Sequence, residues 1–242
     1  MSINWWRDYF GEDFFHLHVD LFPEQLSRRE VAGMLELLRV SADARILDVP
    51  CGWGRHASLF AEQGYQVAGA DLSFDLLRRA APGPWYVAAD VRAQPFPDAC
   101  FDVVINVFTS LGLFLDDAED VAALREAGRL LKTGGRLLLE SMHRDDVVAA
   151  YAERDRWVLP DGTEVRVRRR FDPVQGISYE RLQWRRGEQH GRKQHALRLR
   201  TATEIAGLLR AAGFDDVAYY GDWNGKRFTH RDSSLIAVAT KR

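Results

Sequence analysis

The sequence predicts an α/β fold, a doubly wound parallel sheet with helices on both faces, and three observations predict it. Five short runs rich in branched apolar residues alternate with helical segments, a glycine-bearing turn joins the first run to the first helix, and acidic residues close three successive runs. Such alternation places the strands parallel, with ligands in the crevice at their carboxyl ends.

The elements follow in chain order. Residues 1–40 form a helical cover: an aromatic leader with Trp5, Trp6, Tyr9, Phe10, Phe14 and Phe15, read mainly as core, then a helix from Glu24 to Arg39. That helix carries Val31, Met34, Leu35 and Leu38 on one face. Residues 41–150 form the core. Its strands are Arg45 to Val49, Gln66 to Asp71, Trp85 to Ala89, Phe101 to Val107 and Gly135 to Glu140, read as mostly buried on both faces. Its helices run from Arg55 to Gln63, stopped by Gly64; from Phe74 to Ala80, before Pro82; and from Ala118 to Leu131, stopped by Gly134-Gly135.

Between 155 and 200, Val165 and Val167, Ile177 and Tyr179, and Leu197 and Leu199 alternate with polar residues. Turn signals stand at Asp161-Gly162, Asp172-Pro173, and Gly187 or Gly191, so this stretch reads as a small antiparallel β insertion. Residues 201–242 return to helix, Ala202 to Ala212 closed by Gly213, and end in strands Val217 to Tyr220 and Leu235 to Ala239. The loop of about fourteen residues between those strands permits an antiparallel final pair. The whole of 1–242 reads as a single domain.

Bulk properties exclude little. A chain of 242 residues with 46% apolar content can bury a core without disulfides or a structural metal. A net charge of −2 gives no overall reason to expect nucleic acid or membrane as a partner. The amino terminus lacks the basic start and apolar run of a secretory leader, so a cytoplasmic location is expected. Cys51 and Cys100 are too few for a disulfide framework and are expected to be reduced. Arginines crowd the stretch from Arg166 to Arg200; the reading adopted is the solvated face of a sheet supported by nearby acids, the alternative an anionic acceptor.

The chemistry gathers at Ile46-Leu-Asp-Val-Pro-Cys-Gly-Trp-Gly-Arg-His56, a strand entering a glycine turn and then a helix. Gly52 and Gly54 let backbone approach a ligand, and the helix start offers unpaired N–H groups. Gly52-x-Gly54-x-x-Ala57, with Asp71 following, also satisfies the glycine pattern of a dinucleotide site. Asp48 separates the two readings: its carboxylate would repel a pyrophosphate, yet it attracts S-adenosylmethionine, which has no phosphate and carries a sulfonium and an ammonium. Asp71 can accept hydrogen bonds from ribose hydroxyls, and Asp90 can accept from the exocyclic amine of adenine.

With these residues in hand, the segment from Ile46 to Glu140 resembles a class I S-adenosylmethionine-dependent methyltransferase, and nearly the whole chain resembles a bacterial, small-molecule-type group of that family. The matching pieces are Tyr9-Phe10, Arg28-Arg29-Glu30-Val31, Leu47 to His56, Gly69-Ala-Asp-Leu-Ser73, Phe108-Thr-Ser-Leu-Gly112 and Ser234-Leu-Ile-Ala-Val238. The resemblance implies a seven-stranded Rossmann-like sheet in the order 3-2-1-4-5-7-6 with the last strand antiparallel. It also implies that Asp48, Pro50, Gly52, Trp53 and Gly54 surround the methionine part of the cofactor, and that Asp71 and Leu72 flank the ribose. Asp90 and the Val91 amide would hold adenine, and Asn106 would touch the methionine amine. Pro50 departs from the broad family, which has a glycine there; proline fixes φ near roughly −65° and would not fit a turn needing positive φ at that place.

Methyl transfer from a sulfonium needs position, desolvation and, for some acceptors, a base. Tyr9 and His143 are the catalytic candidates, His143 as a base just past the fifth strand. Phe108, Thr109, Glu140 and Arg28 are candidates for binding a small-molecule acceptor, and His16 and His18 border the same region. No metal site is expected, because His16 and His18 have no Cys or second histidine pair nearby. The stretch Asn106-Val-Phe-Thr109 differs from an Asn-Pro-Pro-Tyr segment, which by resemblance argues against nucleic-acid amines as acceptors. The competing functions are an NAD(P)-dependent oxidoreductase and a non-catalytic cofactor-binding or RNA-associated protein; a homodimer is compatible with the sequence.

Overall fold

The computed structural model describes residues 5–242, so the first four residues, read above for a secretory leader, lie outside it. Helices α1 (Trp6–Tyr9), α2 (Glu12–His18) and α3 (Glu24–Leu38) precede the core. The core strands are β1 (Arg45–Asp48), β2 (Gln66–Asp71), β3 (Trp85–Ala88), β4 (Phe101–Asn106) and β5 (Leu131–Met142), with α4 (Ala57–Glu62), α5 (Phe74–Leu77) and α6 (Asp117–Leu130) between them. After α7 (Arg144–Ala149) come β6 (Arg154–Val158), β7 (Glu164–Asp172), β8 (Ile177–Arg186) and β9 (Gln189–Arg198). The chain ends with α8 (Ala202–Ala211), β10 (Asp216–Tyr220) and β11 (Ser234–Thr240).

The main sheet has the order β10-β11-β5-β4-β1-β2-β3, the expected 3-2-1-4-5-7-6 pattern. β11 runs antiparallel to both β5 and β10, while β1 pairs in parallel with β2 and β4. Successive residues serve opposite faces, as the pleat requires. Leu47, Val104, Leu137, Leu139 and Leu235 pack toward α6 and α8; Ile46, Val103, Ile105, Leu138 and Ile236 pack toward α3 and α4.

Several boundaries differ from the sequence reading, each for a local reason. β3 is an edge strand, so it is not buried on both faces, and Trp85 is 81% exposed. α4 starts only at Ala57, because the backbone from Gly52 to His56 is spent on turns. α5 is a single turn capped by Ser73, whose hydroxyl accepts from the Leu76 amide. α6 does not stop at Gly134-Gly135: it passes directly into β5 at Leu131, and the glycine pair is held inside the strand by backbone hydrogen bonds with Lys241. α8 begins with a capping box between Thr201 and Glu204.

The insertion is, as expected, an antiparallel sheet, four-stranded in the order β6-β7-β8-β9 and separate from the main one. Its faces are unlike. Val165, Val167 and Leu182 are buried with Leu17 and Leu159. On the opposite face, exposed Arg154, Arg168 and Arg181 lie side by side across three strands, as do Arg156 and Arg166 across two. The acids expected to support the arginine stretch do so for part of it: Glu164 pairs with Arg185, Asp161 with Arg186 and Asp117 with Arg198. At the junction with the core, buried Arg200 pairs with buried Asp120, which also accepts from the Gly112 amide.

Among the described residues no helix is long and apolar enough to cross a membrane, and no group of three or more His, Cys, Asp or Glu side chains could hold a metal ion.

Candidate active site

The carboxyl ends of β1, β2, β4 and β5 open into a cavity of ≈ 640 Å³. The aromatic leader walls it, and the apolar-facing side of the β6–β9 sheet roofs it with Trp157, Leu182 and Leu197. A cavity of this volume encloses a nucleoside-sized ligand together with a small acceptor.

Its floor is the turn after β1. Val49 N–H donates to the Ile105 carbonyl (2.9 Å), Cys51 N–H to Ala70 (2.9 Å) and Gly54 N–H to Cys51 (2.9 Å), so the turn is laced to β4 and β2. Positive φ falls at Gly52 (56°) and Gly54 (72°), not at Pro50, which therefore fits the turn; the Val49–Pro50 peptide is cis. Gly54 is further constrained by Tyr86, whose ring occupies the space a side chain at Gly54 would need. Asn106 braces the same turn: its side-chain amide donates to the Val49 carbonyl (2.9 Å), and its oxygen accepts from Ser110 (2.7 Å). Trp53 packs against Phe14, Phe15 and Phe22, joining the turn to the leader.

The three strand-end acids have different surroundings. Asp48 is 1% exposed, and neither of its carboxylate oxygens has a hydrogen-bond partner. Burial pushes its pKa up to about 7, with Arg55 and the Ala57 amide opposing the rise and Asp71 adding to it. Asp71 accepts from the Gly52 amide (2.7 Å) and the Ser73 amide (2.8 Å); burial raises its pKa and these amides resist. A carboxylate has about four lone-pair positions, so Asp71 keeps capacity for hydroxyl donors. Asp90 is engaged by Arg92 at both oxygens (2.9 and 2.6 Å), which holds its pKa down. The Gln94 side-chain amide donates to the Asp90 carbonyl (2.7 Å), leaving the Gln94 oxygen buried and unpartnered on the cavity wall. Leu72 and Val91 complete this wall.

On the other side, Phe108 and Thr109 follow β4 with φ of 63° and 54°, an uncommon conformation for side-chain-bearing residues. Glu140 fixes it: its carboxylate accepts from the Phe108 amide (2.7 Å) and the Ser234 hydroxyl, and its carbonyl accepts from the Thr109 amide (3.2 Å). Burial raises the Glu140 pKa, and these two donors oppose the rise. Tyr9 and His18 also line the cavity.

Three sequence candidates fall elsewhere. His143 is buried outside the cavity wall, because β5 continues past Glu140 to Met142; its ring abuts Phe228 and its amide donates to Ser233. Arg28 lies on the outer side of α3, paired with Glu24 (2.5 Å) and Glu62 (2.9 Å). His16 contacts Thr163 and Asp161, not the cavity.

Sequence reasoning missed Glu30, two positions beyond Arg28, which binds both Arg55 and His56 (2.7 Å). Burial presses the His56 pKa down to about 4 despite Glu30, so the imidazole is neutral near pH 7. It also missed Arg169, Glu180 and His195 in the roof; the only signal was polar residues at otherwise apolar alternate positions of their strands.

Comparison with known proteins fits this geometry. Residues 47–139 match a family model described as a methyltransferase domain. The ubiquinone/menaquinone biosynthesis C-methyltransferase UbiE of Serratia proteamaculans is 33% identical over 204 residues, 77% of this chain and 72% of that protein. The malonyl-[acyl-carrier protein] O-methyltransferase of Enterobacter lignolyticus is 32% identical over 127 residues, so there the match spans only about half of each (51% and 49%). Among solved structures, the CcbJ methyltransferase of Streptomyces caelestis superposes with a TM-score of 0.81 at 18% identity, covering 100% of this chain and 99% of that one. CalS10, an amino pentose methyltransferase from Micromonospora echinaspora solved with S-adenosylmethionine bound, gives 0.70 at 26% identity, covering 89% and 92%.

The fold and these matches together define a methyltransferase of class I. The chain belongs to the class I S-adenosylmethionine-dependent methyltransferases, S-adenosylmethionine is its cofactor, and the dinucleotide alternative falls away.

The cavity residues fit that cofactor: Asp48 is a buried carboxyl group whose oxygens have no hydrogen-bond partner, and the ligand brings the cations. A pH dependence follows. Below about pH 7 Asp48 is protonated in the free protein, so an ammonium-bearing ligand must displace a proton. Calorimetry with S-adenosylhomocysteine will show affinity falling up to about tenfold per pH unit as pH drops below 7, and rising toward a plateau above it. Asp48→Asn will flatten this profile; an unchanged profile would assign the proton to another group.

Proposed function

We propose that this chain transfers a methyl group to a small molecule enclosed between the main sheet and the β6–β9 roof, its four sequence blocks working as one unit. The observation that carries the reading is the buried, unpartnered Asp48 carboxylate in an enclosed cavity. When bound, the cofactor supplies an activated methyl group on a sulfonium.

The protein's own residues do the rest. Asp48 attracts the positive methionine end, and Gly52 and Gly54 let the chain approach it. Asp71 accepts from ribose hydroxyls. The adenine amine is read by Asp90 together with the Gln94 oxygen, which is fixed in orientation by the hydrogen bond that the Gln94 side-chain NH2 donates to the Asp90 carbonyl. Tyr9, Phe108, Thr109 and Glu140 shape the acceptor side, and the aromatic walls exclude water.

Titration calorimetry on nucleotide-free protein tests the first half, with micromolar binding of S-adenosylhomocysteine and none of NADH expected. Mass spectrometry of methyl transfer to a panel of carboxylates, hydroxyaromatics and aminosugars, classes suggested by the relatives' names, tests the second. Binding of NADH in place of S-adenosylhomocysteine would overturn the proposal.

A further inference from the structure

We propose that His195, oriented by Glu180, takes the proton from the methyl acceptor, and that the acceptor is therefore a group that loses a proton on methylation, a hydroxyl, a proton-bearing nitrogen or an activated carbon; this rests on reading the cavity as a methyl-transfer site.

Arg169, Glu180 and His195 are direct cross-strand neighbours on β7, β8 and β9, on the face that roofs the cavity, and all three line it. Arg169 donates to one Glu180 oxygen at 2.7 Å, and the other lies 3.5 Å from His195 Nδ1. Nδ1 is buried with no hydrogen bond. A proton on Nδ1 has Glu180 to point at, a contact of the kind that tightens when a site fills, and Nε2 is then the nitrogen with the free lone pair. Tyr9 and Trp5 pack their rings against the imidazole at 5.0 and 5.8 Å, fixing its plane.

The groups facing His195 are Glu180, Arg169, His18 and Tyr9, with Lys193 over the Tyr9 ring. Burial holds the imidazole below its usual pKa; Glu180 pulls it up, and His18 and Arg169 push it down. It is thus an uncharged base near neutral pH.

Of the other bases on the wall, Asp48, Asp71 and Asp90 stand at the cofactor end, two more are tied, and His18 differs from His195 in its partner. Glu140 is tied to Phe108 and Ser234, and His56 to Glu30. His18 donates Nδ1–H to the Phe14 carbonyl (2.8 Å) and has no carboxylate partner among its hydrogen bonds or ion pairs. In the step itself, the acceptor's electron pair forms the bond to the methyl carbon while the carbon–sulfur pair leaves on sulfur, and the acceptor's proton passes to His195 Nε2. Thioethers and tertiary amines, which have no proton to lose, do not use this arrangement.

The test uses the full chain. In the S-adenosylhomocysteine complex, nitrogen NMR will show His195 neutral near pH 7.5 with its proton on Nδ1. His195→Gln will keep S-adenosylhomocysteine affinity within threefold and lower kcat at least ~100-fold on an acceptor from the panel above. Glu180→Gln will move the acid limb of the kcat profile to lower pH, since the imidazolium loses its anion. A proton on Nε2, a charged ring, a His195→Gln kcat within fivefold of the parent, or a larger loss in His18→Gln overturns the proposal while leaving the cofactor reading intact. If no panel member is methylated, the NMR tautomer decides. Failure of the parent chain to bind S-adenosylhomocysteine overturns both.

Discussion

Replacing Arg200 with methionine will lower the stability of the fold by about 3–5 kcal/mol, the usual cost of removing one partner from a buried ion pair. Arg200 is 3% exposed and Asp120 0% exposed, and they join the end of the β6–β9 roof to helix α6 of the core. Methionine keeps much of the side-chain length but strands the Asp120 carboxylate, whose one remaining donor is the Gly112 amide. Burial already raises the Asp120 pKa while Arg200 opposes it, so losing Arg200 lets protonation relieve the strain. The defect will therefore be largest near neutral pH and shrink as pH falls. Urea denaturation at two pH values measures it. Pairing the change with Asp120→Leu will recover most of the loss, because two apolar groups leave nothing uncompensated. A single-variant loss under about 1 kcal/mol would mean that the pair is solvated in practice.

The second large effect is on cofactor binding. Gly54→Ala will weaken S-adenosylhomocysteine about 30- to 100-fold by calorimetry, from left-handed strain of roughly 1–2 kcal/mol plus steric displacement. With φ at 72°, an added Cβ would lie 2.8 and 2.9 Å from Tyr86 Cζ and Cε1. The same ring also fills the space that a side chain on Gly69 would take, so Tyr86 is packed over both glycines. Gly52→Ala provides the control. Its φ is 56°, but nothing lies within 4 Å of the added atom, so it will bear the strain alone and lose about tenfold. Equal losses at the two positions would remove Tyr86 from the explanation.

The core of this protein was readable because the middle residues of β1, β4, β5 and β11 are buried on both faces and so form short apolar runs, such as Val103 to Ile105, Leu137 to Leu139 and Leu235 to Ala239. Asp48, Asp71 and Asp90 were readable for a related reason: the first two end their strands and the third lies two residues past β3, places that sequence pattern locates well. What sequence did not show depends on distance or direction. The Arg28-to-Val31 run was visible, but not that α3 turns Glu30 inward and Arg28 outward. His143 was misplaced because strand length past Glu140 is set by pairing with β11, not by local composition. Arg169, Glu180 and His195 stand alone in their strands and become neighbours only through antiparallel register, which leaves no contiguous motif.

The two-faced roof has a consequence for how this protein can vary. Arg181 immediately follows Glu180, so inserting one residue early in β8 and keeping the strand paired would reverse its parity. A guanidinium would then swing into the apolar interior while a carboxylate went out to water. Changes in strand length are thus tolerable in steps of two. Substitutions at Arg154, Arg168 or Arg181 can drift freely, on a surface separated by one sheet thickness from the chemistry beneath.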